Sequence, residues 1–183
     1  RTELRDRTKT YGLIDNNAAV AIAEMKTINA FKRIENLEGM LFNNVHVEFK
    51  NEKVQLDHVL VGDYGIIIID TKARRVVDAE FLKKTKVQMT KQFDVIASYM
   101  INQGIGFCKR TLKTYVVLYT QQEILDDSLF LKDVSRITES LEKNVLEKDN
   151  IERYQKVIQG LTVYPKDSVS GDLWGNLSRE IKL

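Results

Sequence analysis

Apolar residues recur about every three positions between Asn16 and Ile34, a spacing that places them on one face of an amphipathic helix. The apolar positions of this segment are Val20, Ile22, Met25, Ile28, Phe31 and Ile34. Asp15 or Asn16 can cap the start of the helix by accepting backbone N–H bonds, and Gly39 lies in the turn that follows. The sequence therefore predicts an opening amphipathic helix.

Three strand patterns follow the predicted helix. From Val45 to Phe49 apolar and polar residues alternate, as in a half-buried strand, and a second strand is predicted from Val54 to Val61. The alternation predicts two faces for the second strand: Gln55, Asp57, Val59 and Val61 on one, and Leu56, His58 and Leu60 on the other. After turn residues from Gly62 to Gly65, four consecutive isoleucines in Ile66 to Asp70 predict a strand buried on both faces.

The rest of the chain predicts further helices and strands. A basic, poorly patterned stretch precedes a helix from Lys91 to Gln103, whose apolar side carries Phe93, Ile96, Ala97, Met100 and Ile101. Later elements are a strand at Tyr115–Tyr119, a strand near Leu129–Leu131, and helices at Val134–Val145 and Asn150–Gln159. The element order αβββαβ predicts an α/β (α+β) fold, with a mixed central sheet flanked by helices and extra C-terminal helices.

Length and composition fit one soluble domain. With 183 residues, no repeat and no linker, residues 1–183 are predicted to form a single domain, with a core from about 15 to 120 and an extension from about 121 to 183. Cys108 is the only cysteine, so no internal disulfide can form, and we expect it to be a buried small hydrophobe. Without an apolar run long enough to span a membrane, or a secretory leader, we expect a cytoplasmic protein; the chain starts at Arg1, which leaves an upstream anchor open.

Charge is distributed unevenly along the chain. The net charge of +2 says little about nucleic-acid binding, but the segment from Thr71 to Lys113 holds ten basic residues against three acidic ones. This excess indicates either a phosphate-binding surface or an ordinary solvated face.

Two acids and a lysine carry the candidate chemistry. Asp57 lies within a strand between apolar neighbours, so it must be solvated in a cleft, paired, or bound to a cation. Asp70 and Lys72 are two residues apart and leave their strand on the same face, and the hairpin can bring Asp57 close to them. Two carboxylates and an ammonium are the parts of a magnesium site that hydrolyses phosphodiesters, the lysine orienting or deprotonating the water. An Asp–Lys surface pair, and a buried structural role for Asp57, are the alternatives.

The two strands also carry a family signature. The runs Gln55–Val61 and Tyr64–Lys72 resemble the core of the nuclease-related domain (NERD) family, which is grouped with the PD-(D/E)xK nucleases, restriction endonucleases among them. The usual pattern is a Q-hydrophobic-D-H strand, a turn ending in glycine, and a strand closing on E-T-K; here Asp70 replaces the glutamate. The resemblance implies a restriction-endonuclease-like core, Mg²⁺ (or Mn²⁺) ligands at Asp57 and Asp70, a catalytic Lys72, and supporting roles for Gln55 and His58.

The resemblance also points to residues outside the two strands. Family members tend to carry a glutamate on the first helix that faces the site, and Glu24 is the candidate, although it is offset from the apolar stripe and a solvated glutamate is the alternative. Gln92 is expected either to contact a phosphate or metal-bound water, or to cap its helix. His46 is expected to be a surface or rim residue, and Trp174 to pack against the body or to cover an edge.

Together these features predict a magnesium-dependent nuclease that hydrolyses DNA with little sequence specificity. The residues expected to grip the DNA backbone are Arg74, Arg75, Lys83, Lys84 and Lys86. The alternative is a catalytically inactive nuclease-fold module that binds nucleic acid or a partner protein, since a fold alone does not establish chemistry. The sequence specifies neither DNA over RNA nor the oligomeric state.

Overall fold

The fold is a sheet with helices on both sides, as seen in a computed structural model that describes residues 18–106, 110–124, 127–161 and 180–183. The first helix, α1, covers residues 18–32. The elements that follow are β1 (Met40–Phe49), β2 (Glu52–Gly62), β3 (Gly65–Ala73), α2 (Ala79–Asn102), β4 (Leu112–Tyr119), β5 (Phe130–Leu131), α3 (Ser135–Glu139), α4 (Lys148–Gln159) and β6 (Glu180–Lys182).

The six strands form one mixed sheet in the order β5-β4-β3-β2-β1-β6. Strands β1, β2 and β3 pair antiparallel, because short turns join them, whereas β4 pairs parallel to β3 after the chain crosses over through α2. Strand β6 adds to the free edge of β1. The predicted αβββαβ order and the mixed sheet flanked by helices are confirmed; β6 was not predicted.

Strand β3 is covered on both faces, as its isoleucines predict. Ile66 and Ile68 pack on the face that α2 and α4 cover, while Ile67 and Ile69 pack with Ile28 and Phe31 of α1 on the other. All four isoleucines are at most 1% exposed. Strand β3 therefore lies between two packed apolar layers, one on each face of the sheet.

The predicted stripe of α1 is wrong in its first half. Val20, Ile22 and Met25 are 39%, 54% and 39% exposed, and the buried positions there are Ala21, Ala23, Glu24 and Thr27. This half of α1 packs over the polar end of β3, where Thr27 bonds Thr71, so small and polar residues face inward. Ile28 and Phe31 are buried as predicted.

Helix α2 begins at Ala79, twelve positions before the predicted start at Lys91. Asp78 caps it by accepting a 2.7 Å hydrogen bond from the Phe81 backbone N–H. The basic stretch is therefore helical from Ala79 onward, and the exposed first turns of α2 lack the apolar period by which a helix is predicted from sequence. Ile101, placed on the apolar side by its spacing, is 60% exposed.

The remaining predictions have mixed outcomes. α3 is limited to Ser135–Glu139 instead of extending to Val145, whereas β5 and α4 lie close to their predicted positions. His46 is exposed and bonds the Asn44 side chain, as expected of a surface residue. Four residues with predicted roles, namely Asp15, Asn16, Cys108 and Trp174, lie outside the described residues. Within the described ranges, none of the helices has the length and apolar character needed to cross a membrane.

Candidate active site

An open cleft of about 610 Å³ lies at the carboxyl end of β3, under the first turns of α1 and α2. Its lining includes Glu24 from α1, Asp57 from β2, and Thr71 and Lys72 from β3. Asp70 lies beside them, only 1% exposed. The structure thus brings four of the predicted site residues, Glu24, Asp57, Asp70 and Lys72, to one place.

The position of Asp57 depends on the hairpin and on a local irregularity in β1. Its Oδ2 accepts a 2.8 Å hydrogen bond from the backbone N–H of Thr71, which ties β2 to the end of β3. Opposite Asp57, Asn44 has a positive φ of 55° and the strand pairing skips this position. Side-chain alternation changes here: Leu56 packs with Val59 in one core, not with Leu60 as predicted.

Lys72 and Asp70 form an ion pair at the floor of the cleft. Lys72 Nζ lies 2.7 Å from Asp70 Oδ2, and the side chains are 24% and 2% exposed. Asp70 Oδ1 accepts hydrogen bonds of 3.3 Å from the amides of Gln88 and Gln92 on α2. Asp70 Oδ2 has the Lys72 ammonium as its partner, and a carboxylate oxygen has a second lone pair that can bind another ligand.

The acids influence one another through a poorly solvated space. Burial first, and then the charges of Asp57 and Asp70, raise the pKa of Glu24 to about 9, against the opposing effect of Lys72. Burial and then the charge of Asp70 raise the pKa of Asp57 to about 7, although the Thr71 N–H and Lys72 act to lower it. Ionising all three acids at once in this poorly solvated site is therefore unfavourable in free energy.

A buried hydroxyl cluster fixes α1 against the strands. Thr27 Oγ1 donates to the carbonyl of Ala23 at 3.1 Å and lies 3.1 Å from Thr71 Oγ1 and 3.0 Å from the Tyr119 hydroxyl. Glu24 is one helical turn before Thr27 and so projects from the same side of α1. The cluster sets where Glu24 stands relative to Asp70 and Lys72.

The oxygen atoms of this site suit a hard divalent cation. Asp57 and Asp70 supply carboxylate oxygens, and the Asp70 carboxylate is buried beside the Lys72 ammonium. In the described parts of the chain, no group of three or more His, Cys, Asp and Glu side chains is spaced to hold a metal by itself. Mg²⁺ is commonly held by one or two carboxylates with waters completing its shell, so the two aspartates fit Mg²⁺ or Mn²⁺.

The supporting residues of the motif lie elsewhere. The Gln55 amide donates to Asn44 Oδ1 at 2.9 Å on the exposed side, and only its carbonyl, bonded by Gln92, connects to the site. His58 is fully buried with Nδ1 2.7 Å from Asn43 Oδ1, and burial lowers its pKa to about 3. His58 is thus a neutral core residue at physiological pH.

Gln92 lies in the middle of α2, so the alternative that it caps this helix is wrong. It is 2% exposed and holds both Asp70 and the Gln55 carbonyl. Gln88, one turn earlier, holds the same carboxylate oxygen. Sequence analysis missed Gln88, Thr27 and Thr71; a helix extended back to Ala79 would have placed both glutamines on one face.

The five predicted backbone-gripping residues are not grouped. Arg74 lines the cleft, with its guanidinium 4.9 Å from the centre of the Phe81 ring. Arg75 lines a neighbouring groove instead. Lys83 is exposed on α2 and lines none of the cavities described here.

The other two lysines of α2 have carboxylate partners. Lys84 lines the cleft but pairs with Glu80 at 2.7 Å, and Lys86 lies 3.9 Å from Asp127. Their charge is therefore partly offset, and only Arg74 and Lys84 of the five border the acidic site directly.

A mixed sheet flanked by helices, with two aspartates and a lysine at the ends of adjacent strands, is compatible with a restriction-endonuclease-like fold. The family model of the nuclease-related domain matches residues 19–129, which is more than half of the chain, and the chain belongs to this family, as the resemblance predicted. A search of curated proteins finds no match.

Proposed function

We propose that the chain is a Mg²⁺-dependent nuclease that hydrolyses DNA phosphodiester bonds with little sequence specificity. The observation that supports this most directly is the convergence of Glu24, Asp57, Asp70 and Lys72 at one open cleft. Membership of a nuclease-related family makes this chemistry a reasonable reading of the geometry.

Each group of the site has a distinct role in this proposal. Asp57 and Asp70 hold the divalent cation, which when bound supplies Lewis acidity at the scissile phosphate. Lys72, fixed by Asp70 at the floor of the cleft, presents its ammonium to the negative charge that develops on the phosphodiester. The Glu24 carboxyl faces the same space and orients the attacking water. Gln88 and Gln92 hold Asp70 in position.

Arg74 is placed to hold the substrate backbone beside these groups, because it lines the same cleft as Lys72. Contacts from cations to phosphates carry no base information, which supports weak sequence preference.

Cleavage assays with Lys72→Ala and Asp70→Asn test the mechanism. We expect each variant to lose at least about a hundredfold in cleavage rate, the usual scale for removing a group that stabilises developing charge. Lys143→Ala, at an exposed lysine that lines a different cavity, is the matched control and should cleave normally. Duplex DNA and RNA of the same sequence should be compared, and undiminished activity in both site variants would remove the mechanism.

Metal binding separates the nuclease from an inactive nuclease-fold module. We expect titration calorimetry with Mg²⁺ or Mn²⁺ to show saturable binding that Asp57→Ala abolishes, because this change deletes one of two carboxylate ligands. A protein that binds DNA but neither ion would favour the inactive module.

A further inference from the structure

Two grooves continue from the cleft along one side of the molecule. A groove of about 1000 Å³ shares Ala19, Ala73 and Arg74 with the cleft. A smaller groove of about 290 Å³ shares Lys26, Tyr119 and Lys132 with the larger one. The three spaces therefore adjoin one another across these shared walls, and we call them together the depression, which leads from the acids over the ends of β3 and β4 and along α1.

Four cations border this depression beyond the cleft: Lys26 and Arg33 on and after α1, Arg75 after β3, and Lys132 after β5. We call these four residues the basic track. The larger groove has basic residues and no acidic residue in its described lining, and the smaller one has a single acid, Asp133, whose Oδ1 accepts the Ser135 N–H at 2.9 Å. The depression is therefore positive away from the acids.

The spacing along α1 is regular. Ala19 borders the cleft, Lys26 both grooves and Arg33 the smaller groove, so these residues, seven apart, follow one another on one helix face. Fourteen residues of helix span about 21 Å, and a B-form strand places a phosphate about every 3.4 Å along its axis. The path from the cleft to the far end of the track therefore suits about six base pairs of duplex.

The track differs from the basic face of α2 in its local partners. Among the described residues, no carboxylate lies within 4.0 Å of the charged groups of Lys26, Arg33 or Arg75, whereas Lys84, Lys86 and Lys91 of α2 each have one. Lys26 Nζ lies 5.8 Å from the centre of the Tyr119 ring, and Thr27 bonds the hydroxyl of this ring. The charges of Lys26, Arg33 and Arg75 are therefore not offset by a carboxylate of the described residues, and Lys26 lies beside the Tyr119 ring.

We propose that the basic track is a binding subsite for the phosphodiester backbone of DNA, along which the duplex leaves the cleft on one side of the scissile bond. The subsite rests on the proposed function, because it extends a substrate held at the cleft. The proposal assigns a DNA-binding role to Lys26, Arg33 and Lys132, which lie outside the basic segment from Thr71 to Lys113. The lysines of α2 contribute less to binding.

The test is DNA binding by fluorescence anisotropy, with Asp70→Asn in every protein so that the duplex stays intact. The track variant carries Lys26→Gln, Arg33→Gln and Arg75→Gln, and the matched control carries Lys83→Gln, Lys86→Gln and Lys91→Gln, an equal loss of charge at α2 lysines that do not line the cleft. We expect the track variant to bind at least about tenfold more weakly, with a salt slope lower by about 2 to 3. The control should lose less than about threefold in affinity.

Lengthening the duplex beyond the stretch that fills the cleft adds a second readout. Affinity of the parent protein should rise until about six base pairs are added and then level off, and the track variant should gain little. Equal losses in the two triple variants, or no loss in the track variant, would overturn the subsite. A parent protein that binds no DNA would instead contradict the proposed function itself, so the two failures are distinguishable.

Discussion

The burial of Glu24 in the candidate site reduces the stability of the folded protein. The residue is 5% exposed, lies near two other acids, and has a pKa well above the ordinary value. A buried acid among like charges opposes folding whenever it must ionise. Such a group is expected at a site that recruits a cation, since a divalent ion offsets the repulsion.

Thermal unfolding without divalent metal tests this cost through pH. The folded pKa of Glu24, about 9, exceeds the unfolded value of 4.5, so its contribution to stability is present below 4.5 and is lost as pH rises through 9. From about pH 7.5 to about pH 9, the free energy of unfolding should fall by at most about 1.4 kcal/mol per pH unit. Tm should drop by a few degrees, and Glu24→Gln should flatten this dependence.

Asp57 and His58 contribute little to the pH dependence of stability in this range, so the slope reports mainly on Glu24. The contribution of Asp57 is lost mainly between 3.8 and about 7, and His58, whose folded pKa is about 3, destabilises as pH falls below 6.5. Glu38→Gln, at an exposed glutamate, is the control and should retain the parent slope. An identical slope in Glu24→Gln would show that Glu24 does not dominate the titration.

The sequence predicted the position of some site residues better than others. Asp70 and Lys72 could be placed together because a period of two within one strand requires it. The hairpin predicted Asp57 close to Asp70, and Asp57 Oδ2 accepts the backbone N–H of the next residue, Thr71. His58, although part of the same motif, lies in the core against Asn43, and no local pattern distinguishes a motif residue that contacts ligand from one that packs.

At the scale of elements, hydrophobic periodicity failed where helices face the site. The inward face of α2 carries Thr85, Met89 and Gln92. Two of these three residues are polar, although a helix that packs on a core would carry apolar residues at these positions. The inward face of α1 carries Glu24 and Thr27 for the same reason. Strand β3 was predicted correctly because both of its faces pack against apolar residues and only its carboxyl end meets polar ones.

Helix α1 depends on Thr27 for its position, which makes Thr27 a positioning residue. Thr27→Val keeps the shape of the side chain but removes the hydroxyl that meets Thr71 and Tyr119. We expect a loss of about 1 to 3 kcal/mol in stability, because the buried Thr71 hydroxyl and the half-buried Tyr119 hydroxyl lose a partner. Cleavage kcat should fall about tenfold, the equivalent of about 1.4 kcal/mol, while KM for DNA stays near the parent value.

Thr27→Ser separates positioning from simple destabilisation, since it keeps the hydroxyl and deletes only a methyl group. It should restore kcat even if part of the stability is lost. If Thr27→Val cleaves at the parent rate below its unfolding temperature, the hydroxyl cluster is structural and Glu24 is placed by other contacts.

At the scale of the whole molecule, the sheet joins acids and cations that are distant in sequence. The parallel pairing of β4 with β3 brings Tyr119 beside Ala73, and the Tyr119 hydroxyl meets α1 through Thr27. The acidic cleft and the basic track therefore meet at the carboxyl ends of β3 and β4. Sequence analysis could not find the track, because Lys26, Arg33 and Lys132 become neighbours only after the sheet forms.

This arrangement predicts how cleavage sites are distributed on DNA. The cations that border the cleft and the track suit phosphates, and backbone contacts carry no base information. Sequencing the ends produced from a random-sequence duplex library with Mg²⁺ should therefore show nearly uniform base frequencies around the cut. The rate should also fall steeply with salt, since each phosphate contact releases counterions. A consensus of two or more fixed positions, retained when the salt concentration changes, would contradict a backbone-directed nuclease and would require a base-reading surface.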